Sequence, residues 1–425
     1  MPAALTRLQN GHGLYSQAGN FLGRVSTGVD PRTGQFTLAL ALPIGVANDL
    51  AGPSISASLS FNALGSAIDT GFGRGWSLSL SELNLASGSL RLSTGESFSV
   101  DMDRSDFSEG AELLFFDRKL ESFRVVMHGA NGDRFRVEYK SGDIEILQVQ
   151  ERTAIAVPVE VRSPEGRCVF LDWLPSGSDS HWLLYQIRDE QRPLLRITPE
   201  GQEILLQSNP EHAIAASTIR LSMAGERLSQ VTLADPAQSQ WLFDYTQIDG
   251  LLFPERVSGP LGSVDTVLYA SGANGHRLPP GAPLANLPRV VSWVHDPGAE
   301  QPALYRIYRW TGEHNFLGYG AALPGGWRDG QDNLYQVASN YRYGVTESLF
   351  DQAGEALSST ERSWNRFHLQ TEECITRQGV VVRVITEYDE DPRLPWEQQH
   401  AWCQLPWKIT TEYGHGLEPG QKAAL

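Results

Sequence analysis

The chain has 425 residues, of which 41% are hydrophobic and 20% charged, with 41 glycines, 24 prolines and a formal net charge of -16 at pH 7. That length allows two or three ordinary domains or one extended one, with ample material for a core. The negative field repels phosphates, which argues against nucleic acid as a partner, and no Lys/Arg block offers a contact for an acidic membrane surface.

Three cysteines, Cys168, Cys374 and Cys403, are odd in number and far apart, which excludes a disulfide-stapled secreted domain and suggests buried thiols. Met1 to Gly23 has polar residues where a secretory signal needs an apolar core, so synthesis in the cytoplasm is expected, with any export through a dedicated machine. The most apolar run, Leu38 to Val46, is cut by Pro43 and Gly45 and is far shorter than the roughly 20 residues of a spanning helix. No membrane insertion is expected.

Along the chain the apolar residues recur at every second position. Phe36, Leu38, Leu40 and Leu42 alternate with Thr37, Ala39 and Ala41; Ile55, Ala57, Leu59 and Phe61 alternate with Ser56, Ser58, Ser60 and Asn62; Trp76, Leu78 and Leu80 alternate with serines. This is strand periodicity, since a helix of the same composition would scatter its apolar residues around the cylinder. Phe123, Val125 and Met127, a Gly129-Ala130-Asn131-Gly132-Asp133 turn, and Phe135, Val137 and Tyr139 predict a hairpin. The Lys140-Ser141-Gly142-Asp143 turn then leads into a third strand, Ile144 to Val149, completing a meander. Turns recur at 163–166, 189–192, 223–226 and 351–354, each followed by an apolar run, and the strands at Val380 to Tyr388 and Trp407 to Tyr413 are rich in Val and Thr.

The expected fold is therefore all-β, an extended antiparallel sheet of stacked hairpins and meanders with few helices. Residues 1–110 form an N-terminal β region, 111–270 a β-meander, 271–289 a Gly/Pro-rich surface loop or domain boundary, and 290–425 a C-terminal β region. Gly414 to Leu425 lose the periodicity, as a frayed or truncated terminus would.

The segment Ile55 to Asn62, followed by Gly71-Phe72-Gly73-Arg74-Gly75-Trp76, resembles the opening of RHS-repeat proteins and of the shell-forming B components of toxin complexes. Thr27 to Gly34, the His314-Asn315-Phe316-Leu317-Gly318-Tyr319-Gly320 segment and Cys403 to Pro406 extend the resemblance over most of the chain. It implies a hollow β shell around a toxic polypeptide, with the C-terminal region leading towards RHS-type repeats. The chain departs from the pattern in two ways. It carries only degenerate repeats such as Leu349 to Gly354, and Asp296-Pro297-Gly298 lacks the spacing of the family's self-cleavage motif. Asn62, Gly71, Phe72, Gly73, Gly75, Trp76, Asn315, Phe316, Gly318, Tyr319 and Gly320 are accordingly structural motif residues, with no catalytic, cofactor or metal role.

No nucleophile elbow, phosphate loop or His-Glu-x-x-His helix is present in the sequence. Oxygen side chains from Asp101 to Glu112 mimic a calcium loop, but Asp106 stands where the sharp turn wants Gly. His400, Cys403, His415 and Cys374 provide only one tight pair for zinc. Glu372-Glu373 and Asp389-Glu390-Asp391 are adjacent, so strand geometry turns neighbours to opposite faces and away from one glycosidic bond. Trp293, Trp310, Trp327, Trp396 and Trp402 are candidate sugar-stacking residues. The expected function is a structural, non-enzymatic β-shell component that encloses or presents a toxin or effector polypeptide, with that polypeptide or further shell segments as partners and no cofactor. The alternatives are a carbohydrate-binding surface module and a hydrolase with dispersed catalytic residues.

Overall fold

Period-two alternation produces strands along almost the entire chain, and the fold is all-β. The structure is a computed structural model and describes residues 24–129, 131–175 and 182–415. The expected absence of a signal at 1–23, Ala130 of the first hairpin turn, and all but Gly414 and His415 of the expected frayed end lie outside the described residues.

Four antiparallel strands, β1 (Val25–Val29), β2 (Phe36–Ala41), β3 (Ser58–Phe61) and β4 (Trp76–Leu78), form a small sheet in chain order. Register decides its two faces. Leu38 pairs with Phe61, Leu40 with Leu59, and Phe61 with Trp76, so the large residues share one buried face. Ser26 pairs with Ala39, Ala39 with Ser60, Ala41 with Ser58, and Ser60 with Ser77, which leaves the other face small throughout.

The next seven strands are β5 (Glu82–Asn84), β6 (Ser89–Arg91), β7 (Ser97–Ser99), β8 (Phe123–Met127), β9 (Arg134–Tyr139), β10 (Ile144–Val149) and β11 (Ile155–Arg162). They close on themselves. β5 pairs with β6 and β6 with β7; residues 112–116 then bridge β7 to β8, with the Phe116 amide donating to Ser99 O and the Leu113 amide to Val125 O. The meander β8–β9–β10–β11 returns to the start, where Ile155 and Ala156 pair with Asn84 and Leu83. This barrel has its own core of Leu83, Leu90, Val100, Leu113, Phe123, Val125, Phe135, Val137 and Leu147. Position 110, expected as a region boundary, falls inside its circuit.

β11 belongs to two structures, because Glu160, Val161 and Arg162 pair onward with β12 (Cys168–Pro175). From there an antiparallel strip runs through β13 (Trp182–Arg188), β14 (Pro193–Glu200), β15 (Glu203–Ser208), β16 (Ser217–Ala224), β17 (Arg227–Thr232), β18 (Gln240–Ile248), β19 (Leu251–Ser258) and β20 (Val264–Ala270). The 271–289 segment is folded out of the strip and contains a two-stranded hairpin, β21 (His276–Arg277) with β22 (Asn286–Leu287), whose His276 and Leu287 are buried. β20 pairs directly across it with β23 (Arg289–Asp296). The strip continues through β24 (Leu304–Trp310), β25 (Arg342–Phe350), β26 (Ala356–Asn365), β27 (Gln370–Arg377), β28 (Val380–Tyr388) and β29 (Pro406–His415). Pro158, Pro193, Pro254 and Pro406 lie within strands, each where the register shifts, since a bulge tolerates the missing N–H.

The small sheet lies against one face of the strip. Phe36, Leu40, Leu59 and Trp76 join Leu171, Leu195, Leu206, Leu221, Phe243 and Tyr308 in one core. The last strands, β26 to β29, carry mostly half-buried or exposed side chains.

Candidate functional site

The Gly71–Trp76 turn is the principal fastener between sheet and strip. Asp69 Oδ1 accepts the amides of Gly71 (2.8 Å) and Gly73 (3.0 Å), forcing a tight loop in which both glycines have φ of +95°. A Cβ on Gly71 would lie 2.0 Å from Leu183 Cδ2 of β13, and one on Gly73 would lie 2.9 Å from the Leu228 amide nitrogen of β17. Glycine is required here for close approach as well as for conformation. The Arg74 amide donates to Glu226 O, adding a backbone tie to the strip. Phe72 is buried, and Gly75 packs against Phe61 with no room for a side chain. Asn62 caps the following turn through the Leu64 amide.

Trp76 completes the joint. Its Nε1 donates to Tyr245 Oη (2.9 Å), which donates to Leu228 O (2.7 Å), while the indole packs against Phe61 and Phe243. Burial pushes the Tyr245 hydroxyl well above its usual range, keeping it neutral as the donor this chain needs.

The His314–Gly320 segment works similarly at the other end. Tyr341 Oη takes the Asn315 amide and lies within hydrogen-bond distance of the carbonyls of Asn315 and Tyr319; Asn315 Nδ2 donates to Arg277 O. Arg277 also stacks over the Tyr319 ring, and Phe316 meets His276 edge-on. Gly318 and Gly320 turn the chain, with Gly320 pressed onto Glu313 O. Burial, and next the neighbouring Arg289, push the His276 imidazole down to about 3, so it is a neutral packing group. Both motif segments therefore tie layers together.

The barrel and the strip face one another across a cleft of about 780 Å³, lined among others by Ser99, Asp117, Lys119, Asp332, Tyr335, His368 and Trp396. The turn after β26 holds His368 at φ +60°. There its Nε2 meets Asp332 Oδ2 (2.5 Å) and its Nδ1 meets Tyr343 Oη (2.7 Å). Both ring nitrogens are engaged, so the imidazole has neither a free lone pair nor a free N–H for a substrate. Asp332 Oδ1 caps the Leu334 amide, and Tyr335 stacks on Trp396 at 4.5 Å. Burial raises the Asp117 carboxyl to about 6 against the opposing Ser99 amide, and Asp332 adds to the rise. Lys119 Nζ crosses the cleft to the carbonyls of Glu397 and Gln399. Sequence reasoning missed this cleft, because its residues are spread over the chain and no spacing links them.

The other candidate residues are individually partnered. Asp101 receives the Arg104 amide and its guanidinium, Asp106 receives Ser108, and Glu112 pairs with Arg118. Cys403 is packed with Phe367 and Trp396, while His400 faces Asp389, Cys374 lies opposite Arg383, and His415 opposite Val380. Glu372 pairs with Arg383, Glu373 with Arg362, Glu390 with Arg366 and Asp391 with Arg393. Among the tryptophans, Trp293 Nε1 donates to Asp265, Trp310 Nε1 to Val290 O and Trp327 Nε1 to Asp329, and Trp396 is buried. Trp402 is 62% exposed.

No family model matches the sequence, and no curated protein matches it. Among solved structures, the chain is similar to TcdB2-TccC3, at 10% identity and a TM-score of 0.32, over 91% of this chain and 30% of that one. It is also similar to the Photorhabdus luminescens Tc holotoxin pore, at 10% identity and a TM-score of 0.31, over 93% of this chain and 27% of that one. The chain spans less than a third of the length of these solved chains.

Proposed function

We propose that the chain is a structural, non-enzymatic wall component that encloses or presents a toxin or effector polypeptide. One observation carries this reading: the face that the β1–β4 sheet turns away from its core is built only of small side chains. Ser26, Thr37, Ala39, Ala41, Ser58, Ser60 and Ser77 occupy it, with Ser58 Oγ hydrogen-bonded to Ser79 Oγ at 2.8 Å. Such a surface bears no charge and no large apolar group, so it borders a polypeptide without gripping it.

The other features fit a wall. Both glycine-rich segments fasten layers, the polar clusters hold loops together, and each strand of the strip pairs with its sheet neighbours. The test is coexpression with the polypeptide encoded beside it. Co-purification and resistance of that polypeptide to added protease are expected; a free and fully digestible polypeptide removes the reading.

A further inference from the structure

The cleft between barrel and strip does not end at His368. It continues into a second chamber of about 360 Å³, which shares Asp117, Asp332, Tyr335 and Trp396 with the first and adds Arg328 and Gln336. A volume of that order suits a small ligand, which binds where a few polar groups converge on a concave wall. The protein leaves several of these groups incomplete. Trp396 is 3% exposed and its Nε1 N–H is buried without an acceptor, while Gln336 Oε1 is buried without a donor. Buried polar atoms are nearly always paired, because an unmet one forfeits the hydrogen bond it had with water. Arg328 forms no ion pair among the described residues; only its backbone is bonded, to Asn333. The tips of Arg328 and Gln336 occupy one place on the wall, beside Gly325, where a Cβ would lie 2.6 Å from Arg328 Nη2 and 2.7 Å from Gln336 Oε1. Asp117 takes the Ser99 amide on its two carboxylate oxygens, at 3.0 and 3.1 Å, and a carboxylate has about four lone-pair sites. The cations that follow it in sequence are committed elsewhere, Arg118 to Glu112 and Phe123 O, and Lys119 to the carbonyls of Glu397 and Gln399.

The mixture of charges selects the ligand. An anion drawn to Arg328 meets Asp117 and Asp332, and a cation drawn to those carboxylates meets Arg328. A neutral, hydroxyl-rich molecule meets neither conflict, because each hydroxyl both donates and accepts. We propose that this chamber binds a neutral saccharide unit. Its hydroxyls donate to Asp117 and Gln336 Oε1 and accept from Arg328 and the Trp396 N–H, once the two buried groups turn to meet it; side-chain turns of this kind are common on binding. The sugar uses the edge of Trp396 and not its face, since Tyr335 stacks on the indole at 4.5 Å. The site is independent of what the wall encloses, because its residues lie between barrel and strip and not on the small-residue face of β1 to β4.

Ligand-observed NMR of the full chain with the methyl glycosides of glucose, galactose, mannose and N-acetylglucosamine tests it, with acetate and guanidinium as charged probes. At least one glycoside is expected to bind, and both ions to bind more weakly than it does. Arg328 is exposed and its side chain has no partner among the described residues, so Arg328→Ala leaves the melting temperature unchanged. The same substitution weakens the glycoside by at least about tenfold. Trp402→Ala removes the 62% exposed tryptophan outside the cleft and leaves binding as it was. Binding by none of the glycosides, binding indifferent to Arg328→Ala, binding lost with Trp402→Ala, or tighter binding of acetate or guanidinium overturns the proposal.

Discussion

Leu183 Cδ2 fills the place where any side chain on residue 71 would begin, and the backbone there is already in the left-handed region. The Leu183 side-chain tip can turn aside for a methyl, so the penalty of Gly71→Ala is chiefly conformational, and a loss of roughly 1–3 kcal/mol is expected, read as a lower denaturant midpoint. A variant as stable as the parent would show that the loop is free to lift off β13. Asp117 makes a prediction of the opposite sign. Its carboxyl titrates at about 6, above the ordinary value of 3.8, chiefly through burial. The fold thus favours the protonated form: this contribution to stability is complete below about pH 3.8 and is lost as pH rises through about 6. Asp117→Asn keeps an acceptor for the Ser99 amide and never ionises. It should match the parent at pH 4 and exceed it by about 1–2 kcal/mol at pH 8, as measured by thermal or urea melts across that range.

Arg366, only 1% exposed, organises the elements around the cleft from the turn after β26. Its guanidinium reaches the carbonyls of Val337 and Asp391 and pairs with Glu390 at 3.4 Å, so one side chain binds the 333–337 turn to the 389–399 loop. Replacing it with Met leaves Glu390 without its cation and the carbonyls without their donor. A destabilisation of about 3–5 kcal/mol follows, with hydrogen exchange rising first in those two loops. Neither this hub nor the His368 relay was legible in the sequence, because loops from distant positions supply the partners and nothing in their spacing requires the meeting. The strands were legible for the converse reason. Ile55 to Phe61 or Phe123 to Tyr139 carry their pattern locally, and period two suffices to assign both the element and its buried face. Barrel closure was hidden because β5, β6 and β7 have three residues each, too few for a pattern, and because the closing contact joins Leu83 to Ala156. The 271–289 segment was read from its Gly and Pro content, and the hairpin around buried His276 escaped because each of its strands has only two residues.

At the scale of the molecule, the barrel and the strip satisfy their hydrogen bonds differently. The barrel is a closed circuit, so residues 82–162 need no neighbour to complete the backbone pairing of β5 to β10, and their core is separate from that of the strip. The strip buries its apolar face only because β1 to β4 cover it; without that sheet Leu171, Leu195, Leu206, Leu221 and Phe243 would face water. Cutting the chain should therefore give unequal products. A fragment of residues 81–163 should fold alone, with a β-type circular dichroism spectrum, dispersed amide resonances and a single cooperative melt, although at about 80 residues its stability is expected to be small. A fragment beginning at residue 164 should aggregate, and adding a separately expressed 24–80 segment should restore part of its solubility through the Trp76–Tyr245 joint. Tyr245→Phe in the larger fragment would then lower that rescue, since the buried indole N–H loses its acceptor at a cost of about 1–3 kcal/mol. If the 81–163 fragment is unfolded while the larger one is soluble on its own, the order of dependence is reversed, and the strip rather than the closed barrel is the self-sufficient part of the wall.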